Sequence, residues 1–319
     1  MRIFRNRPHY DFVSLRRITF AISGILLLIS LGSMMVRGLN YGIDFSGGTL
    51  IQLRFPEAAP IKEVRKTLTA LDYGDLVIQE FGSPEEIMVR VEKQPKDSDE
   101  QAKMSKTIVD ALNPLAGDKG VEMRRVEFVG PQVGSELRTQ GIMAVIYSMI
   151  AILAYVAWRF ELRFAYGAVL ALMHDITITV GFFSIMQKEF TLVVVAALLT
   201  VIGYSLNDTI VVYDRIREEM KRLRKHPMTT IINEAVNRTL SRTLVTSLTT
   251  ILVLCALLLF GGEVIHDFAL TLFLGVLIGT YSSIFVASPV VLLLDRSGGK
   301  PATPAKKESK EMQGEPSSG

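Results

Sequence analysis

The chain has 319 residues, 49% of them hydrophobic and 21% charged, with a formal net charge of +3. Apolar residues gathered in long runs exclude a wholly water-soluble globule, while the charged remainder calls for a water-exposed part. A single cysteine, Cys255, excludes a disulfide framework and a thiolate metal site.

Taken in chain order, six stretches have the length and apolarity of a membrane crossing. They are Ile18–Val36, Gly141–Trp158, Phe164–Met186, Phe190–Val212, Leu244–Gly261 and Phe268–Leu294. The first is read as a retained helix because no small-residue cleavage site follows Met34 and Met35. Orientation follows from Lys and Arg near the span ends. Arg2, Arg5, Arg7, Arg16 and Arg17 precede the first span, and Arg159 and Arg163 sit between the second and third. Arg215, Arg217, Lys221, Arg222, Arg224, Lys225 and Arg238 follow the fourth, and Arg296, Lys300, Lys306, Lys307 and Lys310 follow the sixth. The opposite side shows Lys188 alone in its short turn and no base in Gly261–Asp267. Both termini are therefore expected in the cytoplasm, residues 1–17 and 297–319 being tails. The last tail, rich in Lys, Glu, Pro, Ser and Gly, reads as disordered.

Residues 37–138 form the expected external domain. Thr49–Phe55 alternates as a strand, Pro60–Leu71 reads as an amphipathic helix, and Leu76–Phe81 and Ile87–Glu92 are strands about a Gly82-Ser83-Pro84 turn. Asp97–Leu112 is a second helix, capped by Asp97, Ser98 or Asp99, and Val121–Val129 a last strand. The β-α-β-β-α-β order predicts a ferredoxin-like fold. The domain has no His or Cys. Its carboxylates, including Glu63, Asp72, Asp75, Glu92 and Glu122, are scattered as on a solvated face, so nothing in it points to an enzyme.

Two glycine-rich junctions flank this domain. In Gly42-Ile43-Asp44-Phe45-Ser46-Gly47-Gly48, Gly47 and Gly48 permit positive φ and close backbone approach, and Asp44 can accept from nearby N–H groups. Without the Lys-Ser/Thr ending of a phosphate loop, nucleotide binding is excluded. Gly130, Pro131 and Gly134, within Val129–Leu137, suit a hinge or a stiff connector equally well by residue type.

The polar residues inside the apolar runs carry the functional signal. A charge at the centre of a membrane helix costs roughly 2.5–3.5 kcal/mol and by default marks an ion or proton pathway. Asp208 falls near the end of the fourth run, with Tyr204 and Ser205 on its face. Arg242 enters the fifth from the same side at similar depth, so an Asp208–Arg242 pair is feasible; the alternative for Arg242 is a snorkelling anchor. Thr246, Ser247, Thr249 and Thr250 prolong a hydroxyl-rich strip. His174 and Asp175 lie in the middle of the third run, where snorkelling cannot rescue them. They form either a proton-loading site or a structural polar knot. Gly275, Gly279, Ser283 and Ala287 form a packing ridge on the sixth run. Met228–Leu240 is expected to lie along the membrane surface within a loop over residues 214–241. Neither metal nor bound cofactor is called for.

Five segments together resemble the SecF family of bacterial protein-export membrane proteins. They are Gly42–Gly48 (GIDFSGG), Val129–Leu137 (VGPQVGSEL), Gly203–Glu218 (GYSLNDTIVVYDRIRE), Asn237–Thr243 (NRTLSRT) and Gly279–Pro289 (GTYSSIFVASP). The resemblance implies a six-helix bundle of the resistance–nodulation–division type with one external ferredoxin-like domain, in the bacterial inner membrane. It further implies pairing with SecD, association with the SecYEG channel and YajC, and use of the proton gradient to assist preprotein translocation driven by SecA. Asp208 and Arg242 match the family's proton-relay positions. A small-molecule antiporter of that superfamily is the alternative, but six spans and one small domain are too little to enclose a drug pathway. A passive scaffold would not need buried carboxylates. Nucleic acid is not an expected partner.

Overall fold

The computed structural model describes residues 10–74, 76–91 and 98–295. Asp75, Glu92, Asp97, Arg2, Arg5, Arg7 and the tail after Asp295 lie outside them.

Helix α1 (Arg16–Val36) is a first crossing, continued by a two-residue strand β1 (Asn40–Tyr41) and a single helical turn α2 (Ile43–Ser46). The sheet domain then runs β2 (Gly48–Arg54), α3 (Ile61–Thr69), β3 (Leu76–Phe81), β4 (Ser83–Val91), α4 (Ser98–Leu112) and β5 (Glu122–Val129). Its strands stand in the order β3-β4-β2-β5, every neighbour antiparallel. That is the ferredoxin-like plan anticipated from the element order. Period-two alternation explains the sheet: Ile51 and Leu53 of β2 and Ile87, Val89 and Val91 of β4 point to one side and are buried. Val64 and Leu68, one turn apart on α3, and Ile108 and Leu112 on α4 close the same core.

The bundle continues with α5 (Pro131–Arg159), α6 (Leu162–Met186), a short β6 (Glu189–Phe190), α7 (Leu192–Arg222), α8 (Met228–Phe260) and α9 (Glu263–Ser282). A π-helical stretch, Ser283–Ala287, leads into α10 (Ser288–Leu294). Among the described residues, six helical segments are long and apolar enough to cross a membrane, the last running from Val264 to Leu294. This is a multi-pass membrane protein.

One expectation needs correction, and two further segments become better defined. Met228–Leu240 does not form a separate surface helix in a long loop; it opens the continuous 33-residue α8, and the connection from α7 spans only residues 223–227. The cause is electrostatic. Glu219 of α7 is buried among Arg215 (3.0 Å) and Arg222 (2.6 Å) of its own helix and Arg238 (3.2 Å) of α8. Glu234 adds Arg222 and Arg238, so the two helices are tied side by side beyond the apolar runs. Residues 10–13, ahead of α1, are docked on α8. Asn237 of α8 clamps both backbone polar groups of Tyr10 (3.0 and 2.8 Å), and Asn233 bonds the Val13 N–H and the Asp11 carboxylate. The Asn233 amide holds the Asp11 carboxyl below its usual range. Residues 131–137 are the first turns of α5, with Pro131 at N1, so the segment is helical from just after Gly130.

Candidate functional site

The junction between sheet domain and bundle is built from backbone. β1 pairs in parallel with β6, and the Gly42 N–H donates to the Phe190 carbonyl at 3.0 Å. Gly47 and Gly48 both take positive φ (71° and 122°), which an L side chain rarely adopts. Gly134 of α5 sits so close that a Cβ there would stand 3.0 Å from the Gly47 nitrogen. It is a contact surface for the glycine pair. Arg90 of β4 reaches across to the Tyr41 carbonyl (2.6 Å) and the Ser46 hydroxyl (2.7 Å), fixing the sheet to the turn. Burial pushes the nearby Glu189 carboxyl above its ordinary value, with Arg90 opposing.

Asp44 has a defined task. Its Oδ2 accepts from the Leu192 N–H at 2.9 Å, at the first residue of α7. A carboxylate there satisfies an orphan donor and meets the positive end of the helix dipole. Asp44→Ala should therefore cost about 0.5–2 kcal/mol. Thermal unfolding of the purified chain would measure it, Asp44→Asn losing less because an amide oxygen still accepts.

Deeper in the bundle, Asp208 on α7 is 4% exposed, and its Oδ2 has no hydrogen-bond partner. Ser247 of α8 lies beside it but pairs with Thr280 of α9 at 2.7 Å. Of the two readings of Arg242, direct pairing with Asp208 is not seen: no ion pair within 4.0 Å joins them among the described residues. Arg242 acts on Asp208 through space, from an exposed position on α8. The neighbours expected to serve Asp208 are engaged elsewhere, Ser205 with Asp175 (2.6 Å) and Tyr204 with Thr250 (3.2 Å). Thr246, Thr249 and Thr250 donate back to carbonyls of their own helix, and Thr250 also accepts from Tyr204. A buried carboxyl with one oxygen unpartnered is costly, and such groups mark functional sites.

His174 and Asp175 form a second cluster. Asp175 Oδ1 lies 2.9 Å from His174 Nδ1, and its Oδ2 accepts from Ser205 of α7 and Ser282 of α9 (2.8 Å). His174 Nε2 reaches Ser23 of α1 at 3.1 Å. Four helices thus meet on one carboxylate and one imidazole. Ser23, Tyr281, Ser282 and Glu219 escaped the reading of the sequence. The first three are hydroxyls in apolar runs, a signal easily taken for helix packing. Glu219 was hidden inside a presumed loop, although Arg215 at i−4 marked it. The packing ridge is real: a Cβ on Gly275 would run into Val201 of α7, and one on Gly279 would stand 3.0 Å from Ser205 Cβ.

Comparison with known proteins places this architecture. The family described as protein export membrane protein SecD/SecF, C-terminal, matches residues 109–297, and that described as SecD/SecF GG motif matches residues 32–55. The protein translocase subunit SecF of Magnetococcus marinus is 63% identical over 295 residues, covering 92% of this chain and 95% of that protein. That of Calditerrivibrio nitroreducens is 49% identical, covering 92% and 97%. The crystal structure of SecDF, a translocon-associated membrane protein from Thermus thermophilus, superposes with a TM-score of 0.80 at 37% identity. It covers 92% of this chain, which spans only 39% of that longer one. A SecDF structure in a super-membrane-facing form matches at 0.67. With family models matching the glycine junction and most of the bundle, and relatives matching over 92% of its length, the chain belongs to the SecF family of protein translocase subunits.

Proposed function

We propose that the chain is the SecF half of a Sec export accessory complex, coupling proton movement at Asp208 to work on a translocating preprotein. The observation that carries this is Asp208 itself: a buried carboxyl oxygen without a partner, beside a polar wall that the chain leaves open. On α7, Ala196, Thr200, Gly203 and Asn207 are exposed, and on α8 so is Arg242. Asn and Arg at membrane depth are not left facing lipid. A partner bundle covers them, and small residues on α7 let its helices approach closely. A SecD-type half supplies that bundle in this reading, consistent with the 39% share of the SecDF chain that this one matches. Arg242 then acts as the cation that stabilises ionised Asp208 and lets it release and reload a proton. Association with the SecYEG channel, YajC and, indirectly, SecA follows from the family. The sheet domain is periplasmic, both termini are cytoplasmic, and the complex sits in the bacterial inner membrane. No bond-making chemistry and no cofactor are part of the reading.

Two measurements test it. A tagged chain drawn from native membranes should bring a SecD-type protein and channel subunits in stoichiometric amounts; a self-contained homo-oligomer would sink the proposal in favour of an antiporter. In a Cys255→Ser background, a cysteine at exposed Gly117 should react with an impermeant reagent added outside, and one at exposed Lys221 should not. The reverse pattern would invert the orientation.

A further inference from the structure

Asp175 and His174 stand at one end of a line of four polar contacts that finishes on α1. Asp175 Oδ1 faces His174 Nδ1 at 2.9 Å, and His174 Nε2 faces Ser23 Oγ at 3.1 Å. Ser23 Oγ faces Tyr281 Oη at 3.1 Å, and Tyr281 donates to the Thr19 carbonyl at 2.8 Å. Each contact needs one hydrogen between its heavy atoms. Neutral histidine, serine and tyrosine bring one each, and an ionised Asp175 brings none. Ser205 and Ser282 cannot make up the difference, because both donate to Asp175 Oδ2. Three hydrogens serve four contacts.

We infer that the His174–Asp175 pair binds one proton when α1 is docked on α6 and α9, and that losing this proton releases α1 from Tyr281. The count is the same whether the proton resides on the carboxyl or the imidazole. Once it leaves, the ionised carboxylate claims the Nδ1 hydrogen of a neutral imidazole, and Nε2 becomes an acceptor. Ser23 must then donate to Nε2. Ser23 Oγ and Tyr281 Oη are left facing each other with one hydrogen for two acceptors, Ser23 and the Thr19 carbonyl. Both contacts at risk join α1 to α9. The consequence is mechanical, because α1 runs directly into β1 and the glycine turn that holds the sheet domain and, through Asp44, the start of α7. The inference rests on the proton-driven reading above and names a second proton-binding site with its output.

The groups facing the pair are Ser23 of α1, Ser205 of α7, Tyr281 and Ser282 of α9, and Thr179, which donates to the Asp175 carbonyl one turn along α6. Tyr281 is the titratable one. Tyr147 and Tyr155 of α5 are exposed on the outer surface, and α10 has no ionisable side chain. Among the described residues no Lys or Arg pairs with either group.

Spin labels at Ile25 of α1 and Leu277 of α9, both exposed, report the contact in the full chain with its partner half, in nanodiscs and with Cys255→Ser. Between about pH 5 and 9, the native pair should give one narrow, short distance at low pH that lengthens or broadens as pH rises. Asp175→Asn should stay docked throughout, since its amide N–H can point at His174 Nδ1 while its oxygen keeps both serines. Ser23→Ala should show no pH response. A native distance indifferent to pH, or an unchanged response in Asp175→Asn, overturns the inference. Asp208→Asn should keep the α1 response while losing export. Were Asp208→Asn to abolish the response and Asp175→Asn to retain it, this site would fall and the proton-driven reading would stand. A normal α1 response together with gradient-independent export would do the opposite.

Discussion

Asp208→Asn is expected to reduce proton-gradient-dependent export to the level of cells lacking the chain, while the protein accumulates and assembles normally. The substitution keeps the size of the side chain and removes its titratable proton. Asp208 Oδ2 has no hydrogen-bond partner to lose. A neutral amide at such a position also lifts the cost of burying a charge. Thermal unfolding should therefore shift by no more than about 1 kcal/mol in equivalent stability, in either direction. Arg242→Ala should lose export as well, for a different reason: without its cation, Asp208 is disfavoured in the ionised form and no longer releases its proton. Arg242→Lys should retain part of the activity, because the interaction runs through space and needs a charge rather than a two-pronged fork. Export of a reporter preprotein, measured with and without a protonophore in a strain lacking the native subunit, decides the matter. Full gradient-dependent export by Asp208→Asn would end the relay proposal.

The six crossings were legible because each is a long, predominantly apolar run, and length separates such a run from a core helix. The sheet domain was legible from the alternation of Thr49–Phe55, whose Ile51 and Leu53 are both buried. Contacts between helices were not. Spacing put Asp208 and Arg242 at one depth but says nothing of helix rotation, and rotation turned Arg242 outward and Ser205 toward Asp175. Polar residues on α8 from Asn233 to Arg238 suggested a surface helix because their partners lie far away in sequence, at Tyr10, Glu219 and Arg222. Gly134 shows the same limit. A glycine for bending and a glycine for close approach are identical in one dimension, and only the Gly47 backbone beside it tells which is present. The hydrogen count at His174 was out of reach for that reason too, since Ser23 lies 151 residues from His174 and Tyr281 258 residues from Ser23.

Gly48→Ala should be the most damaging single methyl that the junction can receive. At φ 122° the backbone lies where side chains are rarely tolerated, and a Cβ would stand 2.8 Å from the Val91 carbonyl oxygen. That oxygen is backbone of β4, whose Val91 is registered with Thr49, so it cannot swing aside as a flexible side chain would. Relief requires β2 to part from β4 at its first residue or the glycine turn to unwind. Unwinding moves Gly47, whose nitrogen supports Gly134 of α5, and Asp44, which caps α7. The damage therefore spreads from the sheet domain to two crossings. Gly117→Ala is the matched control: φ is 65° and nothing lies within 4 Å, so it carries only the left-handed penalty of about 1–2 kcal/mol. Gly48→Ala carries a penalty of that kind plus the clash. The expected result is rapid proteolysis of the sheet domain and loss of export for Gly48→Ala, with Gly117→Ala near wild type in both. Equal protease resistance of the two variants would mean that the turn relaxes without disturbing its neighbours. The glycine pair would then be dispensable as a joint between the sheet domain and the helices that carry Asp208.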